Sequence, residues 1–309
     1  MALNNYGRIL MNMVREEGAE KADTWFDMMA EKGIQLTETQ RSEIAEKINE
    51  RMGYEPSIGF FGKTGAGKSS LCNALFGQDV CAIDDVAACT RDPQSVLLNM
   101  GSNGIKLIDV PGVGENEQQD EACRALYSEL LPKLDMVLWL VKSDDRAMAA
   151  DRKFYDEIVR SAVEDEKPFF IVLTQVDKIE PCREWDMDAH EPSAAQFRNI
   201  HQKVELLAEE FGVRSNQIIP VCAEEGYNLT KLVDEMVFAL PAQQNYAVFR
   251  AVNKEYCSDG AAECAKTSFL EMIGEIVHSI LFNTGVVLGG IGDAIRDWWE
   301  DHRPSWWPV

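Results

Sequence analysis

A chain of 309 residues with 46% hydrophobic content can bury a full core and has room for about two domains. Its formal charge of −22 excludes bulk affinity for nucleic acid, which needs a surplus of Lys and Arg, and argues against attraction to anionic lipid. The eight cysteines stand singly without a C-x-x-C pair, and His190, His201, His278 and His302 lack metal-ligand spacing. Reduced thiols and no metal held mainly by protein ligands are therefore expected. The opening residues have no charged stretch followed by an unbroken apolar core, so a cytoplasmic location is expected.

Residues 1–54 are predicted to be helical. Leu10, Met13 and Val14 share one face, as do Trp25, Phe26 and Met29. The run TETQ at Thr37–Gln40 has capping-box spacing, and Ile44, Ile48 and Met52 form an apolar stripe that ends near Gly53.

From residue 55 to 241 short apolar runs alternate with longer helical ones. SIGFFG, SVLLNM, IKLIDV, MVLWLV, FFIVLT and QIIPVC are the predicted strands. SSLCNALF, DEACRALYSELL, DRKFYDEIVRSAV, FRNIHQKVELLAEEF and TKLVDEMVFAL are the predicted helices. Strands buried on both faces are continuously apolar, and the alternation signals an α/β domain with a mostly parallel, six-stranded sheet.

Residues 242–309 are predicted to be a further helical region, with a helical pattern over Gln243–Ile280. The uncharged run from Ile276 to Gly292 is shorter than the about 20 residues a membrane-spanning helix needs. Trp298, Trp299, Trp306 and Trp307 crowd the tail, with Asp297, Glu300 and Asp301 among them. Packing on the rest of the protein is expected there, and membrane contact is the less favoured option.

GKTGAGKS, Gly62 to Ser69, fits the pattern G-x-x-x-x-G-K-[ST] between an apolar strand and a helix. Glycines let such a loop turn consecutive backbone N–H groups inward onto phosphate oxygens, and the helix adds its N-terminal partial charge. The candidate phosphate-binding run is Lys63, Thr64, Gly65, Ala66, Gly67, Lys68, Ser69 and Ser70. Lys68 would reach the β- and γ-phosphates, and the Ser69 hydroxyl would ligate Mg²⁺.

Three further motifs close strands of the same domain. In LIDVPG, Asp109 stands at the sheet's carboxyl edge, where it could hold Mg²⁺, and Gly112 could bring a bare N–H against the γ-phosphate. In TQVD, Thr174 to Asp177, the Asp177 carboxylate could accept both N–H donors of guanine, a pair that adenine lacks. In VCAEEGYNL, Ala223 would offer its N–H to the guanine carbonyl.

The order of these motifs resembles the P-loop GTPases of the Era-like branch, across residues 56–241. The runs FGKTGAGKSSLCNALFG, VAACTRDP, DVPGVGE, LDMVLWLVKSDDRA and GYNL are similar to the prophage-associated YfjP/YeeP group. The resemblance implies a P-loop GTPase domain that binds GTP and GDP with Mg²⁺. It makes ACTRDP the first switch, with Thr90 closing over Mg²⁺ and the γ-phosphate, so that Lys68, Thr90 and Gly112 form the catalytic set.

The chain departs from that pattern in four places. Gly65 stands where Era-like proteins often carry an Asn linked to potassium use, so no potassium stimulation is expected. Thr174 and Gln175 replace the usual Asn and Lys of the base motif, as in some septin-like and immunity-related GTPases. Val113 stands where Ras-like enzymes orient the attacking water, so turnover is expected to be slow. Era's appended RNA-binding domain is basic, whereas residues 242–309 have no basic surplus, so no nucleic-acid partner is expected. The implied role is a GTP-hydrolysing switch. The alternative is a module that assembles as a homodimer across its nucleotide faces, with or without a membrane.

Overall fold

The computed structural model describes residues 26–27, 29–31, 33–77, 96–99, 106–109, 124–125, 127–145, 148–160, 167–282, 291–303 and 307. For 96–99 and 106–109 it describes the backbone alone. The chain runs α1 (Glu38–Met52), β1 (Ser57–Gly62), α2 (Lys68–Phe76), β2 (Val96–Asn99), β3 (Lys106–Asp109), β4 (Met136–Lys142) and α3 (Ala149–Phe154). It continues with β5 (Phe169–Thr174), α4 (Ala194–Phe211), β6 (Ile218–Pro220), α5 (Leu229–Ala239), α6 (Ala242–Ala251), α7 (Asp259–Leu281) and α8 (Ile291–His302).

The chain divides into two compact units. One holds residues 55–240 and 248–258; the other holds the described residues up to Tyr54 with 241–247 and 259–309. Residues 248–258 thus group with the sheet and not with the helices that flank them in sequence.

The sheet runs β2-β3-β1-β4-β5-β6, with β2 antiparallel to β3 and every other pairing parallel. The mostly parallel α/β architecture predicted from the alternating runs is present. The chain leaves β1 toward β3 on one side and later returns to β4 on the other. That makes the carboxyl end of β1 a topological switch point, where α/β proteins place their ligands.

Burial explains why these runs are strands. Every residue of β5 is buried, as are Met136 to Val141 of β4. Phe61 stacks parallel on Trp139 with centroids 6.2 Å apart, and Tyr127 meets Phe61 edge-on at 4.5 Å. Such aromatic pairs add about 0.5–1.5 kcal/mol each beyond the area they bury. Gly62 ends β1 with φ +137°, and a Cβ there would lie 2.4 Å from the Leu140 carbonyl oxygen. Only glycine lets β1 turn into its loop this close to β4.

In the second unit, Thr37 caps α1 as its sequence predicts. The Gln40 N–H donates to the Thr37 hydroxyl at 3.3 Å, and the Thr37 N–H donates to Gln40 Oε1 at 2.9 Å. Ile44 and Ile48 are buried and α1 packs along α7, ending at Gly53. Of the other residues assigned to that N-terminal helical region, Phe26 and Met29 are buried, while Leu10, Met13, Val14 and Trp25 lie outside the described residues.

The tail packs inward. Trp298, Trp299 and Trp307 are buried; Trp299 meets Trp307 edge-on at 4.8 Å and lies 5.2 Å from Phe269. Trp306 lies outside the described residues. Among the described residues no helix is long and apolar enough to cross a membrane.

The stretch Gln243–Ile280, predicted to be helical, is two helices, with α6 stopping at Ala251 and α7 beginning at Asp259. Lys254 folds back and donates to the carbonyls of Phe249 at 2.6 Å and Arg250 at 3.0 Å, satisfying the last turn of α6. Asn253 then accepts from the Glu255 N–H at 3.2 Å and opens a short 3₁₀ turn.

Candidate functional site: a glycine loop tied to the turn after β5

The loop between β1 and α2 is built by left-handed glycines. Gly65 has φ +78° and Gly67 has φ +83°, so the chain reverses without the strain a side chain would add. Gly67 precedes α2 and supplies no side-chain cap. The first N–H groups of α2 are thereby left for an anion, where the helix partial charge favours one. Lys68 Nζ donates to the carbonyls of Gly62 at 3.1 Å and Lys63 at 3.2 Å, which holds its ammonium over the loop. Ser69 is half-buried, and Ser70 and Thr64 are exposed.

Lys63 turns its side chain the other way. Its ammonium lies 2.7 Å from Asp145 Oδ2 and 2.6 Å from Asp151 Oδ2, and the Asp151 side chain is only 3% exposed. Burial alone would lower the Lys63 pKa, but the hydrogen bonds to Asp145 and Asp151 outweigh it and raise it. Burial pushes the Asp151 carboxyl up, against the pull of Lys63. A cavity of about 220 Å³ opens here, lined among others by Lys63, Thr64, Lys142, Asp144, Asp145 and Asp151.

The turn after β5 is fastened directly to the loop. The Thr174 hydroxyl donates to the Ala66 carbonyl at 2.8 Å, and Gln175 Nε2 donates to the Gly65 carbonyl at 3.1 Å. Gln175 sits at φ +55°, held there by the Ser143 hydroxyl on its carbonyl at 2.6 Å and by Lys178 Nζ on its Oε1 at 2.6 Å.

Asp177 follows in a 3₁₀ turn. Its backbone carbonyl accepts from Gln196 Nε2 at 3.2 Å, and its Oδ1 accepts from the Cys222 thiol at 3.0 Å. The Val176 N–H donates to the Val221 carbonyl at 3.3 Å, which brings Ala223 beside the same turn. His190 Nδ1 lies 2.7 Å from Glu225 Oε2 and pins the loop that follows Ala223.

Asp109 is the last residue of β3 and pairs in register with Phe60, two residues before Gly62. Thr90, Gly112 and Val113 lie outside the described residues. The sequence pointed to neither Ser143 nor Gln196, which buttress the turn. Gln196 had a legible signal, since Ser193-x-x-Gln196 is a second capping box, formed at 3.1 and 3.2 Å. Ser143 had none, because its partner is thirty-two residues away.

The family model described as 50S ribosome-binding GTPase matches residues 57–175. The uncharacterized protein YfjP of Escherichia coli K12 is 39% identical over 251 residues, covering 80% of this chain and 83% of YfjP. GTPase Era of Alkaliphilus metalliredigens is 23% identical over 232 residues, covering 74% of this chain and 71% of that protein. A crystal structure of Aquifex aeolicus Era bound to GDP and AlF4⁻ is similar with a TM-score of 0.45 and 21% identity, over 61% of this chain and 57% of that one.

Proposed function

This chain belongs to the Era-like P-loop GTPases, in the group that holds YfjP, and we propose that it works as a nucleotide-dependent switch with slow intrinsic turnover. As a GTPase it binds GTP and hydrolyses it to GDP and phosphate. The observation that carries the fuller reading is the pair of hydrogen bonds from Thr174 and Gln175 to the loop carbonyls of Ala66 and Gly65. They hold a phosphate cradle and a base-reading turn at a fixed spacing, which is what recognition of a whole nucleotide requires.

In this reading the N–H groups from Lys63 to Ser70 and the Lys68 ammonium hold the phosphates. Lys68 is already directed over the loop, and bound phosphate would replace its carbonyl partners. Asp177 reads the two guanine donors and the Ala223 N–H reads the carbonyl. Ser69 and Asp109, with Thr90, offer the oxygen donors that a hard cation such as Mg²⁺ takes. Mg²⁺ would supply charge neutralisation on the phosphate oxygens. Thr90 and Gly112 would contact the γ-phosphate and so report its presence.

The Val113 side chain has no polar atom with which to orient a water. A partner that supplies such a group can raise a GTPase rate by about 10⁵-fold, so the slow intrinsic step leaves room for control. The same valine favours a second reading, a module completed by a homodimer across the nucleotide faces. Specific activity that rises with protein concentration supports the dimer, and a constant value supports the monomeric switch. The acidic balance supports a protein without bulk affinity for nucleic acid.

Calorimetry with GDP and ADP, on the intact chain and on Lys68→Ala, tests the reading. GDP should bind the parent protein well over a hundredfold tighter than ADP, and Lys68→Ala should lose tight GDP binding while remaining folded. Equal affinity for ADP, or unchanged GDP affinity in Lys68→Ala, overturns it.

A further inference from the structure

Lys63 belongs to the glycine loop, yet its ammonium is held by two carboxylates that do not. Asp145 Oδ2 lies 2.7 Å and Asp151 Oδ2 2.6 Å from its Nζ. We propose that Asp151, together with Asp145, is a positioning residue for GTP hydrolysis, acting through Lys63 to fix the loop turn that sets the Lys68 ammonium against the terminal phosphate. The inference rests on the reading of residues 63–70 as the phosphate cradle.

Three features support it. First, Lys63 is the fixed end of a turn. Its carbonyl accepts from the Ala66 N–H at 3.1 Å and from Lys68 Nζ at 3.2 Å. The other end is held by the Thr174 hydroxyl on the Ala66 carbonyl at 2.8 Å and by Gln175 Nε2 on the Gly65 carbonyl at 3.1 Å. The turn is thus mounted at two points, and the first depends on the Lys63 side chain.

Second, both carboxylates ride on anchored main chain. Lys203 Nζ donates to the Asp145 carbonyl at 2.9 Å. Asp151 stands on α3, where Phe154 meets Tyr127 edge-on at 4.9 Å, and the following Tyr155 lies 5.4 Å from both Phe169 and Phe211. Third, packing does not confine the lysine. The cavity of about 220 Å³ borders Lys63, Asp145 and Asp151, so the direction of the side chain comes from the charges.

Energetics then separates this role from stability. A buried ion pair is often no more stable than apolar groups of the same volume, whereas charge-assisted contacts fix a direction. In loops of this kind the backbone N–H groups cradle the inner phosphates, and the lysine is what reaches the last one. A loop that keeps its fold but loses the tie should still hold GDP. It should turn over GTP slowly, because a displacement of about 1 Å at a reacting centre can cost on the order of 100-fold. A loss of fold would lower both.

The test compares single-turnover GTP hydrolysis with calorimetric GDP affinity, on the full chain and its variants. In Lys63→Met with Asp151→Leu, where apolar groups replace the pair, hydrolysis should fall by about tenfold to 100-fold while GDP affinity stays within about threefold of the parent. Lys63→Arg, whose planar fork can meet both carboxylates, should keep the rate within about threefold. Asp151→Asn keeps the volume and leaves Asp145 to balance the lysine, so it reads the same split if the double variant loses stability. A parental rate in the double variant or in Asp151→Asn, an equal loss of rate and GDP affinity, or a rate in Lys63→Arg as low as in the double variant overturns the inference. Lys68→Ala is measured alongside. If it loses turnover while the Lys63 and Asp151 variants keep theirs, this inference alone fails; if it too keeps turnover and GDP affinity, the reading of the phosphate cradle fails with it.

Discussion

The Thr174 hydroxyl donates to the Ala66 carbonyl at 2.8 Å, across 108 residues of sequence. Both residues are buried, Thr174 at 4% and Ala66 at 2% exposure, so neither polar group has ready access to water. Replacing Thr174 by Val keeps the shape and removes the donor. A buried acceptor left unsatisfied costs about 1–3 kcal/mol. Thr174→Val should therefore lower the unfolding free energy by that order and weaken GDP binding, since the loop and the turn after β5 lose their tie. Urea unfolding and calorimetry on the same preparation check both, and unchanged values in each show that the bond is incidental.

The Lys63 ammonium sits between Asp145 and Asp151, and Asp151 is nearly inaccessible. Taking away one partner of a buried pair leaves an uncompensated charge, at a cost of about 3–5 kcal/mol, whereas replacing the pair by apolar groups is often close to neutral. Lys63→Met should thus destabilise strongly, and adding Asp151→Leu should recover a large part of the loss. A double mutant no more stable than Lys63→Met alone shows that the carboxylate is not what the lysine offsets.

In the proposed reading of Asp177, Asp177→Asn changes the hydrogen-bonding pattern offered to the base. The new amide donates where guanine also donates, so GDP loses the match. Xanthine has a carbonyl in place of the exocyclic amine and can accept from that amide, while its N1–H still donates to the amide oxygen. The preference should swing from GDP toward xanthosine diphosphate by roughly 10⁴-fold, the scale on which sites built for hydrogen bonds discriminate. Competition binding reads it, and retention of the GDP preference assigns base recognition to another residue.

Removing the chain from Asp293 onward takes away Trp298, Trp299 and Trp307. Trp299 lies 5.2 Å from Phe269, and Trp307 lies 6.1 Å from Tyr246 in a near-parallel stack. Loss of a large buried aromatic costs about 3–5 kcal/mol, so the shortened chain should melt at a clearly lower temperature. It should show no loss of liposome binding relative to the intact protein. Tight co-sedimentation of the intact chain with anionic vesicles, abolished by the truncation, assigns the tryptophans to a membrane instead.

Much of this architecture was determined by local sequence alone. Thr37 and Gln40 form their capping box because the geometry needs only residues three apart, and β4 and β5 announce themselves by continuous apolar runs. Gly62, Gly65 and Gly67 mark the loop for the same reason: left-handed or crowded backbone selects glycine wherever it occurs. The fold-back of Lys254 onto the end of α6 leaves no periodic trace in the sequence. What only the tertiary structure decided is which partners meet across long separations. Thr174 finds Ala66, Lys63 finds Asp151 and Cys222 finds Asp177 because the parallel sheet aligns the ends of β1, β4, β5 and β6 at one edge. A hydroxyl, an ammonium and a thiol have the same sequence signature whether they face water or one another, and only the register of the strands settles which.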